Sequence, residues 1–536
     1  MPWRRNVAQK RITKLIDEAP AIEVQKFHED YLPQFLESRK ALLAEGHQGT
    51  PPLYELPMGR AVVVDAVHVY VTLVNYDDYR MEEHRETEAS HAKALKFLHL
   101  HYSACDRAME FSPAQRVDFH GGRMHAVVVA EGENGVTKET VSNALAFVRD
   151  LRYVAKQANK EFAGGEFEAR FRIGVDAGRC VAINNGTGHE QEPMFLGSPA
   201  NHAAKLADGD EPGIYLSNRV RAAIGQAELS SSFESLLQLD EATYGRLVAS
   251  RDVREEGIEL GFDQMPRSLD GVINEWRTAI QAGSVPDPTN PNFVFHYKRP
   301  PLAEIKFEAV SPSKSIRMPL ASIYADLSGF TDYIDRAIEL GMIADAVKAL
   351  HVIRGEFQNV VHDDFGGRKV RFIGDCIHAL HAEGDHRETN SEETIMEAAK
   401  CAGAIRSSFE LCKSALMGVN ELGLAVGVEY GQTPISKIGI QGDRSVRVAS
   451  SKTTSVSEAM QKSCAHNETR FGPEVLKLAP VALNDLISSD GMAGDLHFDD
   501  VSTAVSAPAV AEVAAPYARA HAASAVADTR AHLEKK

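Results

Sequence analysis

The chain states one pattern twice. FHGGRMHAV at Phe119–Val127 is answered by FIGDCIHAL at Phe372–Leu380, and GVDAG at Gly174–Gly178 by GVEYG at Gly427–Gly431. Gly374 lies 253 residues after Gly121, and Gly427 lies 253 after Gly174. A fixed offset across separate segments marks a duplicated unit, so both copies must follow one fold plan. The differences are as informative as the matches. The second copy carries Asp326 and Asp375 where the first has Thr72 and Gly122; the first carries Asn201 and Lys205 where the second has Thr454 and Glu458. Together the copies supply one composite site.

Composition limits what that site can serve. A length of 536 residues suits about three domains, or two larger ones. Hydrophobic content of 44% and charged content of 25% are those of a soluble globular protein. With 58 basic against 75 acidic residues, the net charge of −17 argues against a nucleic-acid partner. A chain this acidic must gather local positive charge or metal to handle phosphates. Cys105, Cys180, Cys376, Cys401, Cys412 and Cys464 lack CxxC spacing and are expected to be free thiols in a reducing cytosol. The basic N-terminus has no following apolar run, and no stretch of about 18 apolar residues exists. Neither a leader nor a membrane span is expected, and the location expected is cytoplasmic.

The expected organisation is a helical segment over 1–56, a first unit over 57–298, a linker over 299–318, a second unit over 319–500 and an Ala-rich tail over 501–536. Each unit reads as a β-branched strand, a helix, a hairpin, a second helix and a strand pair. Residues 227–290 lack a counterpart of that length and read as a helical insertion. Phe293–Lys298 reads as the strand closing the first unit. Strands and hairpins alternating with helices predict an α+β fold, helices packed on a mostly antiparallel sheet.

Asp326 ends a strand in YADLSGF, and Asp375 occupies a hairpin turn in IGDC. Hard divalent ions take oxygen ligands, and two carboxylates at neighbouring strand ends leave positions open for phosphate oxygens. Taken singly, Asp326 also suits a helix cap and Asp375 an ordinary turn; taken together in a duplicated frame they favour metal. YADLSGFTDYI, KVRFIGDC, GVDAG and LGSPANHAAKLAD resemble the signature segments of class III nucleotide cyclases, over about 60–300 and 319–480. The resemblance implies two tandem ferredoxin-like cyclase domains that pair head to tail, as a pseudo-heterodimer within the chain or as a homodimer, with the site at their boundary.

Several roles follow from that resemblance. Asp326, Asp375 and the Leu327 carbonyl match the site for two divalent cations, Mg²⁺ or Mn²⁺. Asn201 matches the asparagine that orients the ribose. Lys205 stands where the family usually has an arginine to stabilise the α-phosphate, keeping the charge but losing the bidentate fork. Lys298 matches the lysine that holds the terminal phosphates, though an edge-strand lysine facing water fits it equally well. Arg172 has Ala425 as its counterpart, leaving one phosphate contact open to Arg368, Lys369 or Arg371. The converse site would need Thr72 and Gly122 for metal, and Glu458 would repel phosphate there. Asp77 and Asp78 read as solvated helix-start residues. One competent site and one degenerate site are expected.

Two positions bear on the base. Adenine-specific members of the family read it with a lysine and an aspartate where this chain has Asp118 and Met194, which disfavours ATP. A carboxylate can accept N1–H of guanine or N3–H of uracil, while cytosine offers only its amine beside an acceptor nitrogen. Asp118 as a plain strand-end acid is an even alternative. The whole chain also resembles the pyrimidine cyclases of bacterial anti-phage Pycsar systems. That ranks UTP first, GTP second and CTP third, and implies a cUMP messenger acting on a separate effector. The non-enzyme alternative is a cyclase-derived nucleotide-binding sensor.

Overall fold

The computed structural model describes residues 3–44, 51–110, 112–184, 193–252, 269–283, 287–288, 291–439 and 445–506. The repeat becomes two sheets of like topology. The first holds β1 (Glu23–Lys26), β2 (Arg60–Leu73), β3 (Gln115–His120), β4 (Arg123–Val129), β5 (Phe171–Asn184), β6 (Pro193–Leu196) and β7 (Gly213–Leu216). Its order is β3-β4-β2-β5-β6, with β1 on β2 and β7 on β5. The second holds β8 (Phe295–His296), β9 (Ser315–Ser328), β10 (Arg368–Ile373), β11 (Cys376–His381), β12 (Gly423–Ile438), β13 (Val446–Ala449), β14 (Glu468–Phe471) and β15 (Met492–Gly494). Its order is β10-β11-β9-β12-β14-β15, with β13 on β12 and β8 on β9.

Local sequence explains these elements. β2 is rich in valine, and β2 and β9 are both buried along most of their length, as central strands covered on both faces require. The helix Glu88–Met109 starts where Thr87 caps the Ser90 N–H at 3.0 Å, and Lys138–Phe162 where Thr137 caps the Thr140 N–H at 3.2 Å. Asn390 caps Ser391–Ala415 in the same way. Gly121 and Gly374 take positive φ (52° and 61°) in the β3–β4 and β10–β11 turns, where a side chain would strain the backbone. Register fixes the equivalences. Thr72 pairs with Arg172 on β5, and Asp326 with Ala425 on β12.

Four expectations need correction. The segments expected as strand pairs each form one long strand instead, β5 over Phe171–Asn184 and β12 over Gly423–Ile438. β9 takes in Ser315–Met318 from the expected linker, and Leu302, Phe307 and Val310 before it pack into a buried cluster with Val370 and Leu380. Phe295–His296 does not close the first sheet: β8 pairs in parallel with the start of β9, Phe295 opposite Ser315. The tail contributes a helix, Phe498–Ser506, and residues 507–536 lie outside the described residues. Within the expected insertion, the helices Glu241–Asp252 and Leu269–Gln281 bury Tyr244, Leu247 and Trp276 in the first unit's core.

The N-terminal segment touches both sheets. β1 extends β2, while the helix Arg5–Glu18 lies on the second unit, where Arg11 pairs with Glu356 (2.7 Å) and Asp364 (2.8 Å). Trp3 donates to Ser408 at 2.9 Å. No helix among the described residues is long and apolar enough to cross a membrane. The six cysteines are free, five of them buried.

Candidate active site

A cavity of about 500 Å³ opens between the two sheets. Asp118, Met194 and Asn201 line it from the first unit, and Asp375, Thr331 and Arg371 from the second. Each arrives by a definite element: Asp118 from β3, Met194 from β6, Asn201 from the helix Ser198–Leu206 that β6 feeds, and Asp375 from the β10–β11 turn. Asn201 is exposed and donates to Thr331 Oγ1 across the boundary. The Ser198 N–H, also at that helix start, donates to Asp335 at 2.9 Å.

Asp326 stands near the end of β9, accepts from Gln461 Nε2 at 3.3 Å, and is not among the residues that line the cavity. Burial raises the Asp326 carboxyl from 3.8 to about 6, with Gln461 and Lys462 opposing the rise and Glu458 adding to it. Burial and then the charge of Asp326 push Asp375 well above its ordinary value, against hydrogen bonds from its own and the Leu327 backbone N–H and the charge of Arg354. Two desolvated, mutually repelling carboxylates are an arrangement that a bound cation relieves.

Lys205 is exposed one helical turn beyond Asn201, hence on the same helix face. Lys298 is not brought to the cavity. It follows β8, whose His296 faces Ile316, ten residues before Asp326 on β9. At about 3.3 Å per residue, those ten residues set Ile316 roughly 33 Å along the strand from Asp326.

The converse crossing between the units is filled with contacts. Thr72, the counterpart of Asp326, has its hydroxyl buried without a hydrogen-bond partner. Glu458, the counterpart of Lys205, receives Arg123 at 2.7 Å, His120 at 3.3 Å and Lys462 at 3.0 Å. Burial alone would raise the Glu458 carboxyl, but His120, Arg123 and Lys462 together hold it well below the usual range. Nearby, Tyr76 bonds Ser450 (2.8 Å), and Arg80 donates to the Ser451 carbonyl (3.1 Å) and Ser455 Oγ (2.7 Å). Asp77 and Asp78 are exposed in the first turn of Tyr76–Arg80.

No protein-family model matches the chain. It is 40% identical over 527 residues to a uridylate cyclase of a Rhizobium species, covering 96% of this chain and 99% of that protein. The chain belongs to the uridylate cyclase family. A uridylate cyclase of Pseudomonas aeruginosa is 34% identical over 464 residues, covering 84% of this chain and 85% of its own. A solved class III adenylyl cyclase-like ATP-binding protein from Pseudomonas aeruginosa superposes with a TM-score of 0.81 at 31% identity, over 94% of this chain and all of that one. The fold is therefore the class III cyclase fold, of mixed helices and sheets.

Within this uridylate cyclase family member, sequence reasoning gave Arg371 a different role and missed Arg354. Arg371 bonds the Asp118 carboxylate and the Phe119 carbonyl instead of reaching toward phosphate. Arg371 lies 253 residues after Asp118, so the repeat itself held that clue: corresponding positions of opposite charge meet face to face. Arg354, buried on the helix Ile343–Asn359, carried no motif to mark it. Among the described residues there is no cluster of three or more His, Cys, Asp or Glu metal donors. The acidic pair still suits a hard cation, provided that carbonyl and phosphate oxygens complete the shell.

Proposed function

We propose that the chain converts UTP to 3′,5′-cUMP and pyrophosphate at one composite site, its two cyclase-like domains (57–298 and 319–500) pairing within the chain as a pseudo-heterodimer. The observation carrying this reading is the cavity that gathers Asp375 from one sheet and Asp118, Met194 and Asn201 from the other. The ribose 3′-oxygen attacks the α-phosphorus, its proton leaves, and the bond from the α-phosphorus to the bridging oxygen breaks. Asp326 and Asp375 would hold two divalent cations, Mg²⁺ or Mn²⁺, with the Leu327 carbonyl. When bound, these supply the charge that favours 3′-hydroxyl deprotonation and neutralises the phosphates.

The protein's own groups do the rest. Asn201 orients the ribose while Thr331 steadies its amide. Lys205, one turn along the same helix, meets charge developing on the α-phosphate. Arg371 pairs with Asp118 and aims its carboxylate, so that it accepts the N3–H of uracil. Lys298 has no part, given its position. The cyclic product serves as a messenger for a separate effector in anti-phage defence.

The test is incubation with Mn²⁺ and each of the four nucleoside triphosphates separately, with products identified by mass. cUMP from UTP is expected. A cAMP product, in keeping with the ATP-binding structural relative, would overturn the base reading, and absence of any cyclic product would favour a nucleotide-binding sensor.

A further inference from the structure

His202 follows Asn201 on the helix Ser198–Leu206, and its imidazole is held at both edges. Nδ1 lies 3.2 Å from Asp176 Oδ2, and Nε2 lies 3.5 Å from Glu234 Oε2. A neutral imidazole has one N–H and one lone pair, so only the imidazolium can donate to both carboxylates. Asp176 is buried on β5, and Glu234 is buried at the end of Ser231–Glu234. Arg219, from Asn218–Ala223, donates to both oxygens of Asp176, with Nε at 3.1 Å. Among the described residues two acids thus face two cations, and a neutral His202 would leave one negative charge unbalanced. The hydrogen bond to Asp176 raises the His202 imidazole above its ordinary 6.5 against burial, with the charges of Asp176 and Glu234 helping and that of Arg219 opposing.

The same cluster reaches the boundary between the units. Arg219 Nη1 donates to Ser198 Oγ at 2.9 Å, while the Ser198 N–H donates to Asp335 of the second unit. The helix also packs on β5 so closely that a Cβ at Gly174 would collide with the Ala203 carbonyl. Apolar packing of this kind is non-directional and sets only how near the helix lies. The ion cluster adds direction, fixing its rotation and slide.

The other copy keeps the fold without this device. Glu429 stands 253 residues after Asp176, and Ser455 stands 253 after His202. Glu429 accepts the N–H groups of Tyr430 (2.7 Å), Val475 (3.1 Å) and Glu474 (3.3 Å), the last two in the first turn of Pro473–Leu478. Ser455 Oγ accepts from Arg80 at 2.7 Å. The histidine therefore accompanies Asn201 and Lys205, not the fold plan.

We infer that His202, as an imidazolium clamped between Asp176 and Glu234, is a positioning residue that orients the helix presenting Asn201 and Lys205 to the substrate. The inference rests on the roles given to Asn201 and Lys205 above and adds a pH dependence to them. A group whose folded pKa is raised contributes fully below its unfolded value and loses that contribution as pH rises through the folded one. Deprotonation above about pH 6.5 should therefore loosen the helix, although rising pH favours the attacking 3′-oxygen.

The experiment measures kcat and KM for UTP, with Mn²⁺, from about pH 6 to about pH 8.5 in full-length wild type, His202→Gln and His202→Lys. Ratios of variant to wild type cancel the pH dependence of the chemical step. At about pH 6, His202→Gln should lower kcat about 10- to 100-fold with KM within about 3-fold, and the deficit should shrink as pH rises. His202→Lys, a cation throughout, should match wild type within about 3-fold at about pH 6 and gain on it by about 5-fold at about pH 8.5. A glutamine deficit equal at every pH would mean a merely structural role, and a lysine ratio that does not rise would mean that charge is irrelevant; either overturns the inference. Hydrogen exchange at one pH supplies a readout that needs no turnover. Amides of Ser198–Leu206 should exchange faster in His202→Gln than in wild type, and those of Lys452–Lys462 should not. Unchanged exchange at Ser198–Leu206 also overturns the inference. A wild type that forms no cUMP overturns the UTP reading instead, and the exchange comparison then still decides whether His202 holds the helix.

Discussion

The two places where the units cross are built from corresponding residues and end up opposite in character. At one, Asn201, Thr331 and Asp375 border an open cavity. At the other, Arg123, His120 and Lys462 close on Glu458, and Arg80 and Tyr76 tie the start of the helix Lys452–Lys462 that carries it. Asp375, held above its ordinary range by burial and by Asp326, faces the first, while a carboxylate held below its range fills the second. The difference shows what duplication permits. Once one crossing can serve ligand, its counterpart is free to become adhesive: acid and cation exchange places in Lys205 against Glu458 and Asp118 against Arg371, and the acid Asp326 gives way to the neutral Thr72.

That contrast can be broken from either side. Removing the open crossing's ribose contact should cost most: Asn201→Ala is expected to lower kcat about 100-fold with little change in melting temperature, as steady-state kinetics and calorimetry would report. A loss below about 3-fold would remove Asn201 from the site. The closed crossing should answer in stability instead. Glu458→Ala removes the acceptor that Arg123, His120 and Lys462 share and should lower unfolding free energy by about 2 kcal/mol, measured by denaturant titration. An unchanged midpoint would mean that the ion pairs are ornamental.

The acidic pair gives the comparison a pH signature. Asp326 binds its proton more tightly folded (about 6) than unfolded (ordinary value 3.8). Metal-free protein should therefore lose stability as pH rises from about 4 to 6, by on the order of 1–3 kcal/mol, and Asp326→Asn should flatten that slope. Added Mn²⁺ should restore stability at pH 7 in the wild type but not in the variant. The smallest effect is expected at Lys298. Lys298→Ala should leave kcat/KM within about 2-fold, and a large loss would contradict the placement of β8.

Much of this was legible beforehand for a physical reason. Offsets between copies survive because both obey one topology, so the repeat gave the two sheets, their hairpins and the pairing of Asp326 with Asp375. Helix starts were legible where Thr87, Thr137 and Asn390 supply their own caps. What failed was information that sequence does not carry locally. A two-residue strand such as β8 has no period to say which sheet it joins. The segments holding GVDAG and GVEYG read as strand pairs, yet each motif lies inside one long strand whose partners change along its length. Arg354 sits on a helix with nothing around it in sequence. Its place at the cavity shows only once Met194 and Phe372 arrive from elsewhere.

The central claim is that a single crossing does the chemistry, with metal ligands from the second unit and ribose and base contacts from the first. The direct measurement compares the rate of cUMP formation from UTP, with saturating Mn²⁺, in Asp326→Ala and Thr72→Ala chains. The account predicts a loss of at least about 1000-fold for Asp326→Ala and a rate within about 3-fold of wild type for Thr72→Ala. Comparable losses from both would mean that the two crossings work together, and the division between an open site and a closed one would not stand.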